Sequence, residues 1–206
     1  MKILTRALQF GLALALAGLA VSPAWAQFAL LPQFSADLML TRPGHPAVQG
    51  RLYSGGDRWR LDIASQGREG GMIFNLQSHT VYVLVPLQKL YMEVRDSGTG
   101  AGPLSLPDIR PADPSNPCAS ALWTNCRKLG SEVINGRTCD NWQFNTGMTT
   151  RVGCLDQRIR VFIRTTGADG RVAELRNIRE KAQPQSLFEI PAGYHKMEPS
   201  RTQPPQ

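Results

Sequence analysis

Between residues 34 and 95 apolar side chains recur at every second position, and turn-forming residues interrupt the pattern about every ten residues. A period of two puts alternate side chains on opposite faces of an extended chain, so this stretch is confined to strands. Phe34, Ala36, Leu38 and Leu40 alternate with Ser35, Asp37 and Thr41. In "RLYSGGDRWRL" the pair Gly55-Gly56 admits the positive φ of a tight turn, and a two-residue turn there sets Leu52 opposite Trp59. A turn at Ser78-His79 pairs Leu76 with Val81, Phe74 with Val83 and Met72 with Val85. A turn at Leu87-Gln88 pairs Val85 with Leu90, Val83 with Met92 and Val81 with Val94. Both registers keep one apolar row on one face, and a one-residue slip would scatter it. The pattern therefore predicts an antiparallel meander. Its other face carries Ile73, Tyr82, Leu84 and Tyr91, too apolar for a face wholly in water, so part of it is expected to be covered.

The remainder of the chain continues in the same manner. Strand patterns resume at 129–135, 137–145, 149–155, 158–166 and 172–179, with Asp169-Gly170 at the last hairpin turn. The best helical pattern is short, Pro117 to Lys128, with Ser115 or Asn116 as cap and Pro117 in the first turn. Residues 96–117 form a Gly/Pro/Ser-rich connection, read either as a surface linker or as a flap over a cavity made by the sheet. Neither half has a full core of its own, which predicts one domain over 27–197. The polar, proline-rich residues 198–206 are expected to be disordered.

Ahead of this domain lies an export signal. Lys2 and Arg6 precede an apolar run from Leu8 to Val21, and Ala24-Trp25-Ala26 supplies the small-x-small pattern of a signal-peptidase site. The run is too short for a comfortable membrane span, so cleavage after Ala26 predicts a mature chain with no transmembrane segment. Removing Lys2 and Arg6 lowers the formal charge from +7 to +5, and 18 of the 23 basic residues in the whole chain are arginine. That balance suits either an ordinary solvated surface or attraction to acidic lipid headgroups. No dense basic block or nucleic-acid motif is present, and no nucleic-acid partner is expected.

Four cysteines in an exported chain read as two disulfides. A turn centred on Thr146-Gly147 sets Cys139 directly across from Cys154 on neighbouring strands, within bridging reach. Cys118 and Cys126 pair by elimination. A continuous helix through both would part them by about 12 Å, so either the helix breaks between them or the pairing differs. Zinc sites favour closer Cys-x-x-Cys spacing, and a redox-active pair is the other alternative to a staple. His45, His79 and His195 have no partner at ligand or nucleophile–base spacing, and Asp37, Asp57, Asp62 and Asp140 are scattered. No metal, cofactor or catalytic activity is expected. The apolar row Trp59, Leu61, Phe74, Val83 and Met92 is either ordinary core or the lining of an open cavity, because a curved sheet without long helices has little to fill its concave side.

Four segments carry a wider resemblance: "GRLYSGGDRWRLDI", "TVYVLVPLQKLYMEV", "KLGSEVINGRTCDNWQF" and "LRNIREKAQPQSLFEIPAGYHKM". They are similar to an exported bacterial family defined as a domain of unknown function, which in turn resembles the LolA/LolB-like lipoprotein-carrier superfamily. The similarity runs over residues 34–197. It implies a mainly β fold, an antiparallel unclosed half-barrel of about eleven strands with short helical segments on its concave face, and a periplasmic location. In the superfamily that face takes lipoprotein acyl chains or related amphiphiles. A lipid-like ligand is therefore one expectation, and an envelope protein partner without bound lipid the alternative. Two departures stand out: no long amphipathic helix precedes the first strand, and "GCLD" at 153–156 replaces an aromatic-aliphatic pair before the aspartate.

Overall fold

The computed structural model describes residues 31–65, 67–95, 110–119 and 123–197. The segment expected to be a signal peptide, most of the 96–117 connection and residues 198–206 lie outside the described residues. In chain order the strands are β1 (Phe34–Arg42), β2 (His45–Ser54), β3 (Arg58–Ser65), β4 (Arg68–Asn75), β5 (Thr80–Val85), β6 (Leu90–Arg95), β7 (Thr124–Ile134), β8 (Arg137–Thr146), β9 (Thr149–Asp156), β10 (Val161–Gly167), β11 (Val172–Glu180) and β12 (His195–Lys196).

All twelve belong to one sheet in the order β12-β6-β5-β4-β3-β2-β1-β11-β10-β9-β8-β7. Two meanders, β1–β6 and β7–β11, are joined by antiparallel pairing of β1 with β11, where Leu38 faces Leu175. Every pairing is antiparallel except the two-residue β12 alongside β6. The sheet does not close: β12 and β7 stand at opposite ends of the order, giving an unclosed half-barrel with few helices.

Alternation assigns each side chain to an inner or an outer face. The inner face carries two rows that cross six strands in register. One is Ala36, Leu52, Leu61, Met72, Val83 and Met92; the other is Phe34, Ser54, Trp59, Phe74, Val81 and Val94. From Leu38 on β1, Leu175, Ile163, Val161, Cys154, Cys139 and Ile134 extend the same cluster across the second meander. Leu52 and Leu61 are fully buried, and each such side chain contributes about 1.5–3 kcal/mol. Phe34 meets Trp59 edge-on at 5.8 Å between ring centroids.

The outer face is covered at both ends of the sheet. On the second meander Trp123, Trp142, Phe144, Leu155, Phe162 and Ala112 form a separate cluster, with Phe144 stacked on Phe162 at 4.7 Å. On the first, the chain after β11 returns across β3. The Phe188 ring lies where a Cβ on Gly55 would stand, 2.5 Å from its nearest carbon, and the Arg60 guanidinium donates to the Leu187 carbonyl at 3.2 Å. The same segment then reaches the edge of the sheet, where His195 N–H bonds Lys89 O and Met197 N–H bonds Tyr91 O. Ile73 and Leu84 are buried on this face, as their sequence pattern requires. Among the described residues the short helical pieces are 3-10 turns, and Pro117–Ala119 and Gln185–Phe188 accompany the outer face.

Several local expectations are corrected. The helix expected over 117–128 is a 3-10 turn, Pro117–Ala119, followed by strand from Thr124. The Cys118–Cys126 bridge, with Cα atoms 5.8 Å apart, excludes two continuous helical turns between them. The register at Leu87-Gln88 is as expected, but three others move by two positions. Leu52 faces Leu61 rather than Trp59, Phe74 faces Val81 rather than Val83, and Cys139 faces Asp156 rather than Cys154. The cause is a longer turn between β4 and β5 and a one-residue displacement of the two-residue turns at Gly56-Asp57 and Gly147-Met148. Asn75 Oδ1 accepts the N–H groups of Gln77 and Ser78 and lengthens the β4–β5 turn, whereas the β8–β9 turn is Gly147-Met148, closed by Thr146 opposite Thr149. A shift of two preserves the face, so every row keeps its side.

Candidate functional site

The inner face of β3–β6 brings together all five residues singled out from the sequence. Trp59 lies opposite Phe74, Leu61 opposite Met72, and Val83 bridges Met72 and Met92. Each strand holds its contribution by alternation, and the Trp59 indole is fixed by donating Nε1–H to the Gly56 carbonyl at 3.1 Å. Sequence reasoning omitted Met72, Val81 and Val94 from this set. Their parity on β4, β5 and β6 places them in the same rows and was the available signal.

Burial along these rows is graded. Trp59, Leu61, Phe74 and Val81 are buried, Met72 and Val83 are half-buried, and Met92 and Val94 are each 37% exposed. The apolar face is thus packed beneath β1–β4 and open towards β6. Beyond Tyr91 the outer edge of β6 has no strand partner among the described residues, because β12 pairs only with Leu90 and Tyr91. Apolar side chains facing solvent beside a packed core can accept an apolar chain, and they offer no group for acid–base or nucleophilic chemistry.

Elsewhere, two cavities with charged linings lie among the described residues. One, of about 470 Å³, is bounded by Gln49, Arg51, Arg60, Asp62, Glu69 and Tyr194. Two of its charges are paired within the protein: Arg51 with Asp37, and Arg60, whose Nε donates to Asp62 at 2.8 Å. The second, of about 580 Å³, is bounded by Arg137, Asp140, Asp156 and Arg158 at the opposite end of the sheet. Asp140 is buried there. Burial pushes its carboxyl upward, but the Lys128 ammonium, the Ser131 hydroxyl and the Gln157 amide hold it below the usual carboxylate range. The charged side chains named in the second cavity are all paired: Arg137 with Asp156, Asp140 with Lys128 and Arg158 with Glu180.

The four cysteines form two disulfides, Cys118–Cys126 and Cys139–Cys154, the latter with Cα atoms 5.3 Å apart. Cys139 and Cys154 bridge diagonally, since their direct partners are Asp156 and Asn141. Glu132 lies against that bridge, but sulfurs bonded to one another supply no thiolate to a metal. His45, His79 and His195 stand on different turns and edges and converge on nothing.

No family model and no curated protein matches this sequence. Similarity appears in solved structures. An uncharacterized conserved protein from Thermus thermophilus superposes with a TM-score of 0.56 at 8% identity, over 84% of this chain and 95% of that one. MucB of Pseudomonas aeruginosa, solved in complex with MucA, gives a TM-score of 0.49 at 14% identity over 76% of this chain; the chain spans about half of it, 55%. A LolA superfamily protein from Nitrosomonas europaea gives 0.36 at 12% identity, over 77% of this chain and 90% of that one. The chain has a weak structural resemblance to LolA-like proteins, and at these identities the likeness concerns the fold alone.

Proposed function

We propose that the protein is a non-catalytic binding module of the bacterial cell envelope that holds a lipid-like or amphiphilic ligand on its inner face. The observation that carries this reading is the graded apolar ladder Trp59, Leu61, Phe74, Val83 and Met92. Its inner end is packed and its β6 end is open to solvent. An acyl chain laid along Val83, Met92 and Val94 would remove that apolar surface from water at about 25 cal/mol per Å². The sequence resemblance to LolA/LolB-like carriers and the export signal support the same reading. The test is organic extraction and native mass spectrometry of protein isolated from its own envelope, with uptake of an apolar fluorescent probe. Co-purifying lipid, and probe uptake lost in Met92→Glu, are expected. Wild type that carries no lipid and takes up no probe would overturn the reading.

A second reading is favoured by the outer edge of β6 from Met92 to Arg95, which pairs with no strand among the described residues and to which an extended segment of an envelope protein could add as a strand. Capture of such a partner by wild type, abolished by Glu93→Pro, which removes an N–H on the outward side of β6, and unaffected by lipid extraction, would favour it over the carrier reading.

A further inference from the structure

The antiparallel order sorts the turns onto two rims. β1 and β11 run in opposite directions, so the β1–β2, β3–β4, β5–β6, β8–β9 and β10–β11 turns share one rim. Contacts agree: a Cβ on Gly170 would come 2.8 Å from Pro43, and Ala168 N–H bonds Thr150 O. Two turns on this rim place a large apolar side chain at the tip. Leu87 is 82% exposed and Met148 fully exposed. Each is held outward by a constrained backbone. Leu87 sits in the 3-10 turn closed by Lys89 N–H to Pro86 O, with Lys89 at φ 49°, and Met148 follows Gly147 at φ 58°. The opposite rim offers Asp57, His79, Asn135 and Arg158 at its turns.

Charge accompanies these tips. Lys89 closes the Leu87 turn, exposed Arg42 precedes the Pro43-Gly44 turn, and neither these two turns nor the Met148 turn contains a carboxylate, while Asp169 in the β10–β11 turn of the same rim is paired with Arg171. Apolar tips among cations match the boundary between anionic headgroups and acyl chains. From Leu87 an apolar strip continues down the inner side of β6 through Leu90, Met92 and Val94.

We propose that this rim docks the protein on an anionic lipid surface, with Leu87 and Met148 entering the headgroup boundary and Arg42 and Lys89 facing the phosphates. Docking goes beyond the amphiphile-binding reading and stands without it. Only the path from membrane to inner face along β6 rests on that reading. The two tips sit on turns of different meanders, so they orient the mouth of the half-barrel towards the bilayer rather than merely tethering one loop.

The test is co-sedimentation of the full chain with vesicles of phosphatidylcholine alone and of phosphatidylcholine mixed with phosphatidylglycerol. Binding is expected to the mixed vesicles and to fall with added salt. The pair Leu87→Ser and Met148→Ser should weaken partitioning at least about tenfold, because each exchange removes an inserted apolar side chain. Arg42→Gln with Lys89→Gln should weaken it by a similar factor, about tenfold, at low salt. The serine pair should keep the wild-type melting temperature and its uptake of an apolar fluorescent probe. Met92→Glu should retain vesicle binding while losing the probe; if wild type takes up no probe yet binds vesicles, the amphiphile reading falls and docking stands. Wild type that leaves both vesicle types unbound, as a rim recognising only protein would, or a serine pair that binds as tightly as wild type, overturns the proposal.

Discussion

At Arg137 a single side chain joins three parts of the sheet. Its Nε donates to Asp156 Oδ2 and its Nη1 to Glu180 Oε1 at 2.8 Å, while Arg158 reaches the same Glu180 at 3.2 Å. Asp156 is almost wholly buried, and its other oxygen accepts the N–H groups of Arg158 and Ile159, which shapes the β9–β10 turn. Arg137→Met keeps much of the stem volume and leaves the carboxylate with backbone donors alone. We expect a loss of about 3 kcal/mol in urea unfolding, at the low end for a broken buried pair. Gly153 limits the sheet in another way. A Cβ there would lie 2.7 Å from the Phe162 ring, 3.0 Å from Thr165 Cγ2 and 3.1 Å from the Phe144 ring. These neighbours are a stacked aromatic pair and a buried threonine, so Gly153→Ala should cost about 1–3 kcal/mol by overpacking, visible as a lower melting temperature.

Among the elements, the two bridges staple different things. Cys139–Cys154 ties β8 to β9 within the inner cluster, and chain entropy over its 15-residue separation gives about 3 kcal/mol. Cys118–Cys126 closes a separation of 8, worth about 2.5 kcal/mol by the same relation, and fastens the loop carrying Trp123 to the outer aromatic cluster. Replacing both members with serine should therefore lower stability in both variants. Only Cys118→Ser/Cys126→Ser should also shift tryptophan fluorescence of the native state, as Trp123 gains solvent. The same elements mark what could be read from sequence. Period two set the face of Leu61, Phe74 and Cys139 correctly, because burial on one side forbids a one-residue slip. It could not set the partner, since a two-residue shift leaves the faces unchanged and the deciding factor is turn chemistry. Asn75 in the β4–β5 turn and left-handed His79 carry that information in side-chain hydrogen bonds and φ, not in hydropathy. The inner ladder was legible for the same reason as the faces. Its exposure gradient was not, because that depends on which strand forms the free edge.

At the scale of the whole molecule, carboxylates bind the sheet across its seams. Asp37 on β1 accepts from Asn177 on β11 and pairs with Arg51 on β2; the Asn177 bond first, then Arg51, hold its carboxyl below the usual range. Glu174 on β11 is raised by burial, but Arg176, Asn135 at the β7–β8 turn and Arg164 on β10 outweigh that and lower it. Asp140 ties β8 to Lys128 and Ser131 on β7 and to Gln157 after β9, and is lowered likewise. A depressed carboxylate binds fewer protons folded than unfolded, so stability rises with pH across its titration. The contribution is complete above the unfolded values, about 4, and is lost as pH falls through the lower folded values. We therefore expect melting temperature to be flat between about pH 6 and pH 7.5 as far as these groups go, and to fall steeply below about pH 4. Glu174→Gln should be less stable at pH 7 yet show a shallower acid limb, because the group that titrates is gone. Salt separates the contributions. Asp37 has a side chain 43% exposed and Asp140 one 8% exposed, so half-molar sodium chloride should weaken the first pairing far more than the second. An Asp37→Asn variant should consequently show a smaller salt sensitivity of its stability near neutral pH, whereas Asp140→Asn should keep that of the wild type. Equal salt sensitivity in the two variants would mean that the exposed Asp37–Arg51 pair between β1 and β2 is screened no more than the buried Asp140 pairing.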